Sequence, residues 1–152
     1  MYTLQLRFHT HEEFRQLRSL IKAVVQHIFG EKDSFLLEVA INEAVNNALC
    51  STHSRKPIIL SMRVTAGNRL VIRIKDLGAG FNVRKVLKEM TSSPELLFER
   101  NLSSESGRGL GIIRMAADKM IYNRKGNELL LMKYIKQNAI NSPNQKSVEV
   151  PR

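Results

Sequence analysis

Apolar and polar residues alternate at the start of the chain and then recur with helical spacing. Residues 2–8 alternate strictly, which is the period-two pattern of a strand with one buried face. Thr10, followed three residues later by Glu13, has the form of a capping box, and apolar residues then recur at helical intervals until Gly30. We therefore predict a first strand and a helix over residues 11–29.

The same two periodicities continue through most of the chain. Asp33 is placed to cap a second, largely apolar helix over residues 33–50, and alternation around a glycine turn predicts a hairpin over 57–76. A short helix is expected over 83–90, and two further alternating segments predict a closing hairpin over 120–134. Strands and helices thus follow one another along a chain whose length fits a single domain.

Two segments lack this periodicity. The Ser-rich stretch 91–106 is long for a connector, and we interpret it as a mobile lid. Beyond Lys136 the sequence is polar and patternless, so residues 137–152 are predicted to be a disordered tail. The folded domain is therefore expected to span residues 1–136.

Polar residues interrupt the apolar second helix at Glu43 and Asn47. Residues four apart lie one above the other on a helix, so both side chains are expected on the inward side shared with Leu36 and Ala40. A carboxylate and a carboxamide one turn apart can hold a divalent cation and orient a hydroxyl group. On this pair alone, a capping or partly exposed polar edge is the favoured interpretation, because such pairs are common on helices.

Two glycine clusters favour a functional role for Glu43 and Asn47. Asp76 closes a predicted strand, and Gly78 and Gly80 follow it, where they permit tight turns and close backbone approach to a ligand. The segment 107–111 contains three more glycines and is expected to precede a helix that begins at Ile112. Free N–H groups at such a helix start form a phosphate site. Taken singly, each cluster is also compatible with an ordinary turn or a flexible helix entry.

These three motifs, in this order along the chain, resemble the motifs of the GHKL ATP-binding fold. The motifs are Glu43-x-x-x-Asn47, which is similar to the N box, Asp76-x-Gly78-x-Gly80-Phe81, which is similar to the first glycine box, and Gly107-Arg108-Gly109-Leu110-Gly111, which is similar to the second. The likeness covers residues 2–136. It implies an α+β protein, a two-layer α/β sandwich of the Bergerat type whose sheet is mixed but mostly antiparallel, with helices on one face.

Within this superfamily the chain is most similar to the anti-sigma factor serine/threonine protein kinases of bacteria. That resemblance implies an ATP-binding and Mg²⁺-dependent kinase that sequesters a sigma factor and phosphorylates an anti-anti-sigma partner of the STAS type. It also implies a homodimer. A nucleotide-dependent binding or switch module without phosphoryl transfer is the alternative.

The resemblance assigns the base and the metal to the first two motifs. Asp76 would accept a hydrogen bond from the exocyclic amine of adenine, and Gly78 and Gly80 would shape the adjoining loop. Asn47 would contribute its side-chain oxygen to Mg²⁺. The family commonly carries a Gly-Thr pair near the adenine, where this chain has Gly126 followed by Asn127.

The resemblance assigns phosphate binding and catalysis to the remaining residues. Backbone N–H groups of Gly109, Leu110 and Gly111 would bind phosphate oxygens, and Arg108 would add a phosphate contact. Glu43 would act as the general base toward a serine or threonine hydroxyl of the partner.

Composition limits the other functions. A net charge of +10 attracts acidic partners or nucleic acid, but the basic residues are spread along the chain and aromatic residues make up only 6%, so direct nucleic-acid binding is not expected. One cysteine excludes an intramolecular disulfide, and no apolar run approaches the length of a membrane span. The N-terminus does not resemble a secretory signal, and we expect a cytoplasmic protein.

Overall fold

The computed structural model describes residues 2–52, 56–91 and 105–136. In this part of the chain, five strands form one sheet and three helices accompany it. The strands are β1 Thr3–Phe8, β2 Ile58–Thr65, β3 Arg69–Lys75, β4 Lys119–Tyr122 and β5 Glu128–Tyr134, and the helices are α1 His11–Ser51, α2 Val83–Thr91 and α3 Glu105–Ala116.

The strands lie in the order β1-β2-β3-β5-β4, and every neighbouring pair is antiparallel. The two predicted hairpins are confirmed, as are the first strand and the short helix near residue 83. The α+β class is also confirmed. The described strands form no parallel pair, so the expectation of a mixed sheet is corrected to a wholly antiparallel one.

The core lies between the sheet and α1. Alternate residues of the central strands, such as Leu60, Ile72 and Leu131, point toward the helices and are almost fully buried. From α1, Leu37 and Ile41 meet them with exposures of 1% or less. Because each such burial contributes roughly 1.5 to 3 kcal/mol, this layer holds the sheet against the helix that carries the N-box-like residues.

Helix α1 begins at the predicted cap, Thr10, but the Glu13 carboxylate binds the residue before the cap and not the cap itself, as a capping box would require. The hydroxyl of Thr10 accepts a hydrogen bond from the backbone N–H of Glu13 at 3.1 Å, and the Glu13 carboxylate accepts one from the N–H of His9 at 2.7 Å. Two N–H groups at the helix start are thereby satisfied.

Replacing Thr10 with alanine is expected to lower the free energy of unfolding by about 1 kcal/mol, because the Glu13 N–H loses its side-chain acceptor. Urea denaturation of both proteins measures this difference. Thr65→Ala removes a hydroxyl whose contact with the Arg69 carbonyl is long, 3.5 Å, and should cost less. If the two variants lost the same free energy of unfolding, the Thr10 cap would not stabilise the helix more than an ordinary surface hydroxyl does.

The two predicted helices are arms of α1 that meet at Gly30. This glycine has φ +80° and ψ 165°, a conformation that only glycine adopts readily, so the helix breaks there. The second arm already includes residue 31, which corrects Asp33 from a cap to a residue inside the helix. Leu36 is also corrected, since it is 38% exposed and does not share the burial of Ala40.

Helix α3 differs from its prediction. It begins at Glu105, so the glycine segment 107–111 lies inside the helix instead of preceding Ile112. Only the first four N–H groups of a helix lack an intrahelical acceptor, and in α3 these belong to residues 105–108. The cost of glycine in a helix, about 1 kcal/mol each, is offset here by packing of α3 on α1.

Two predictions lie outside the described residues. They are the mobile lid, apart from helical residues at its two ends, and the disordered tail over 137–152. Within the described residues, no helix has both the length and the apolar content needed to cross a membrane.

Candidate functional site

A cavity of about 460 Å³ lies where the second arm of α1 faces the ends of β3 and β5. Its size is within the range of small-molecule sites. The polar side chains that line it include those of Asn47, Ser51, Asp76, Tyr122 and Asn127. The rest of the wall is mainly apolar, so the few polar groups can fix the orientation of a ligand.

Asp76 places a carboxylate in the wall of this cavity. It continues the buried face of β3 after Ile74 and is only 5% exposed. Its Oδ1 accepts a hydrogen bond from the N–H of Gly78 at 2.8 Å. The Ser51 hydroxyl shares its one hydrogen between the Ala48 carbonyl at 3.1 Å and Oδ2 of Asp76 at 3.4 Å. A buried carboxylate is costly unless it is hydrogen-bonded. The two bonds hold this one in place while leaving further acceptor capacity for a ligand.

The loop after Asp76 requires two of its glycines. A Cβ on Gly78 would lie 2.8 Å from the Asp76 carboxylate and 2.9 Å from the Ser51 carbonyl. Gly80 has φ +73°, and a Cβ there would overlap the carbonyl of Lys125. This loop therefore packs directly on the turn between β4 and β5, which forms the neighbouring wall.

That turn is organised by Asn123, a residue that the sequence analysis missed. The Oδ1 of Asn123 accepts hydrogen bonds from the N–H groups of Gly126 at 2.8 Å, Asn127 at 3.1 Å and Glu128 at 3.2 Å. Its Nδ2 donates to Oδ1 of Asn127 at 2.6 Å. The available signal was an asparagine at the start of a glycine turn, where its side chain commonly bonds to nearby backbone groups.

Two aromatic rings border the cavity beside Asp76. Phe81 and Tyr122 meet edge to face, with ring centroids 4.9 Å apart and planes at 81°. Burial, and secondarily the charge of Asp76, raise the pKa of the Tyr122 phenol far above its usual value. The phenol is therefore neutral at physiological pH, and the two rings offer an apolar border for a flat ligand.

The two N-box-like residues lie one turn apart on α1, and only one of them lines the cavity. Asn47 is half-buried and lines the cavity, whereas Glu43, one turn earlier, is not part of its lining. Glu43 instead faces α3, where a Cβ on Gly109 would lie 2.8 Å from its Oε2. Only a glycine at position 109 lets the carboxylate and the helix approach this closely.

Comparison with protein families shows which family the chain belongs to. A family model described as the histidine kinase-like ATPase domain matches residues 9–133, which is most of the chain. The chain belongs to the histidine kinase-like ATPase domain family. No curated protein matches it. Membership implies that this ATPase domain binds ATP.

The ATPase domain brings most of the predicted binding residues together. Four of them line the cavity, namely Asn47, Asp76, Gly80 and Leu110. Gly78 does not line it, but its N–H donates a hydrogen bond to the Asp76 carboxylate. The remaining three predicted residues do not line the cavity, or have side chains outside the described part of the structure. Gly109 packs on Glu43, a Cβ on Gly111 would meet nothing within 4 Å, and the Arg108 side chain is outside the described part of the structure.

Proposed function

We propose that this ATPase domain is a serine/threonine protein kinase that binds a sigma factor and phosphorylates an anti-anti-sigma protein of the STAS type. The observation that carries the proposal is the inward-facing Asp76 carboxylate, 5% exposed, at the end of a cavity that also holds Asn47. The match to the histidine kinase-like ATPase domain supports nucleotide binding. The anti-sigma role rests on the resemblance of the motifs.

Adenine would occupy the end of the cavity at Asp76. The carboxylate would accept a hydrogen bond from the exocyclic amine, and the border formed by Phe81 and Tyr122 would flank the ring. A guanine would place its carbonyl oxygen against the same carboxylate, so the site would favour adenine.

The phosphates would lie toward Asn47 and α3. No three His, Cys, Asp or Glu residues in the described ranges could hold a metal ion. The Asn47 carboxamide oxygen nevertheless suits Mg²⁺, since this ion is commonly held by one or two protein ligands together with substrate phosphates. Bound Mg²⁺ would neutralise charge on the phosphates. The N–H groups of Gly109, Leu110 and Gly111 would reach phosphate only if the first turns of α3 opened, which their glycine content makes inexpensive.

Glu43 would act as the general base. Its carboxylate would accept the proton of a serine or threonine hydroxyl on the partner as that oxygen bonds to the γ-phosphorus. The bond from the γ-phosphorus to the β,γ-bridging oxygen would break, and ADP would leave. Because Glu43 faces Gly109, opening of α3 would also expose this carboxylate to the partner.

The partners would be acidic proteins. The chain carries a net charge of +10, and the face of the sheet turned away from α1 includes the exposed cations Arg7 and Lys119. Such a field speeds association with acidic surfaces. Homodimerisation and a cytoplasmic location are carried over from the resemblance and belong to the same proposal.

Incubation with Mg²⁺, γ-labelled ATP and candidate STAS-type partners tests the proposal, and we expect label on a partner serine or threonine. In the Glu43→Gln protein, transfer should fall about a hundredfold, because the base is removed while shape is kept. Glu31→Gln, at an exposed position of the same helix, is the matched control and should transfer normally. Full transfer by Glu43→Gln would remove Glu43 from the base role.

A second function is favoured by the position of Glu43 outside the cavity lining. In this alternative, ATP changes the affinity for a partner without phosphoryl transfer. Retention of labelled ATP, together with ATP-dependent partner binding and no label on any partner, would support the switch over the kinase.

A further inference from the structure

Asn127 stands directly beside Asp76 in the sheet. The pairing of β3 with β5 joins Ile74 to Leu129 and Lys75 to Glu128, so the next pair in this register is Asp76 with Asn127. The N–H of Asp76 donates to the Asn127 carbonyl at 2.9 Å, which shows that the pairing continues. Directly paired residues have Cβ atoms about 4.5 to 5.5 Å apart on the same face. Both side chains therefore enter the same end of the cavity.

The hydrogen-bond network fixes which way the Asn127 carboxamide points. Asn123 accepts three backbone N–H groups through one side-chain atom, so that atom must be its oxygen and the other must be its NH₂ group. The NH₂ group of Asn123 lies 2.6 Å from a side-chain atom of Asn127, which must therefore be the Asn127 oxygen. This assignment turns the NH₂ group of Asn127 away from Asn123.

Among the described residues, the NH₂ group of Asn127 has no hydrogen-bond acceptor. Asn127 is only 9% exposed and lines the cavity, and within the described residues its Nδ2 makes no hydrogen bond. A donor in such a wall is aimed at a ligand or at water in the cavity. The end of the cavity thus presents an acceptor, Asp76, next to a donor, Asn127.

We infer that Asn127 reads adenine directly, by donating a hydrogen bond from Nδ2 to the ring nitrogen N1 while Asp76 accepts one from the exocyclic amine. Adenine carries this donor and acceptor side by side on the edge farthest from its ribose, and this edge would face the two side chains. Guanine carries a carbonyl oxygen and an N–H group there, so it conflicts with both residues. The inference rests on the proposed nucleotide site and adds a second specificity-determining residue to it.

Analogues that lack one ring nitrogen test this contact in the unmodified protein. In 1-deaza-ATP a C–H group replaces N1, and in 7-deaza-ATP a C–H group replaces N7 while N1 remains. By titration calorimetry, 1-deaza-ATP should bind about tenfold more weakly than ATP, the loss of one buried hydrogen bond, and 7-deaza-ATP should bind about as tightly as ATP. Equal affinities for ATP and 1-deaza-ATP would overturn the inference while leaving ATP binding itself intact.

The Asn127→Ala protein provides a second test of the contact. It should bind ATP about tenfold more weakly and should no longer distinguish ATP from 1-deaza-ATP, a loss of coupling that damage to the turn alone would not produce. Asn127→Ser is the second variant should the alanine protein fail to fold, and Asn46→Ala, at an exposed position of α1, is the control. An unchanged preference for ATP over 1-deaza-ATP in the variant contradicts the inference. If the unmodified protein binds none of the three nucleotides, the nucleotide site itself is refuted.

Discussion

Gly80→Ala is expected to lower the free energy of unfolding by roughly 3 to 4 kcal/mol. Gly80 has φ +73°, where a Cβ is strained, and the added carbon would overlap the backbone carbonyl of Lys125. A backbone carbonyl cannot move aside as a flexible side chain can. The Phe81 N–H donates to that carbonyl at 3.1 Å, so the substitution would also part the two walls of the cavity.

The matched control for this prediction is Gly111→Ala. Gly111 lies in helix α3, and a Cβ there would meet nothing within 4 Å. Alanine is a better helix former than glycine, so this variant should gain about 1 kcal/mol in stability. Urea denaturation of the two variants and the unmodified protein measures both changes. If Gly80→Ala were as stable as the unmodified protein, the close packing of the loop on the β4–β5 turn would be refuted.

Asp76→Asn is expected to weaken ATP binding by about a hundredfold, or roughly 2 to 3 kcal/mol. The Asn oxygen can still accept the N–H of Gly78, so the loop should keep its shape. The charge toward the adenine amine is lost, and when the oxygen faces Gly78 the new NH₂ group faces that amine, donor against donor. Calorimetric titration with ATP and Mg²⁺ measures the loss.

Asp118→Asn is the control for the charge change. Asp118 is exposed, and its carboxylate accepts the N–H of Tyr134 at 2.7 Å, away from the cavity lining. Its ATP affinity should equal that of the unmodified protein. If Asp76→Asn also bound ATP normally, the adenine would not contact Asp76, and the proposed orientation of the nucleotide would be wrong.

Local signals in the sequence predicted most elements correctly. Period-two alternation gave β1 and both hairpins, and the Thr10 cap gave the start of α1. These predictions succeeded because they depend on neighbours within a few residues. The start of α3 was wrong for the opposite reason. Glycines predict a break locally, but packing against Glu43 of α1, more than sixty residues away, favours a continuous helix.

The sequence by itself determined the order of the elements and the positions of the motifs. Only the tertiary structure decided which side chains meet. It placed Asn127 beside Asp76 through strand register, fixed the Asn127 amide through Asn123, and turned Glu43 toward Gly109. The physical reason is that periodicity records which face of an element is buried, whereas the partner across that face is chosen by pairing and packing between segments distant in the chain.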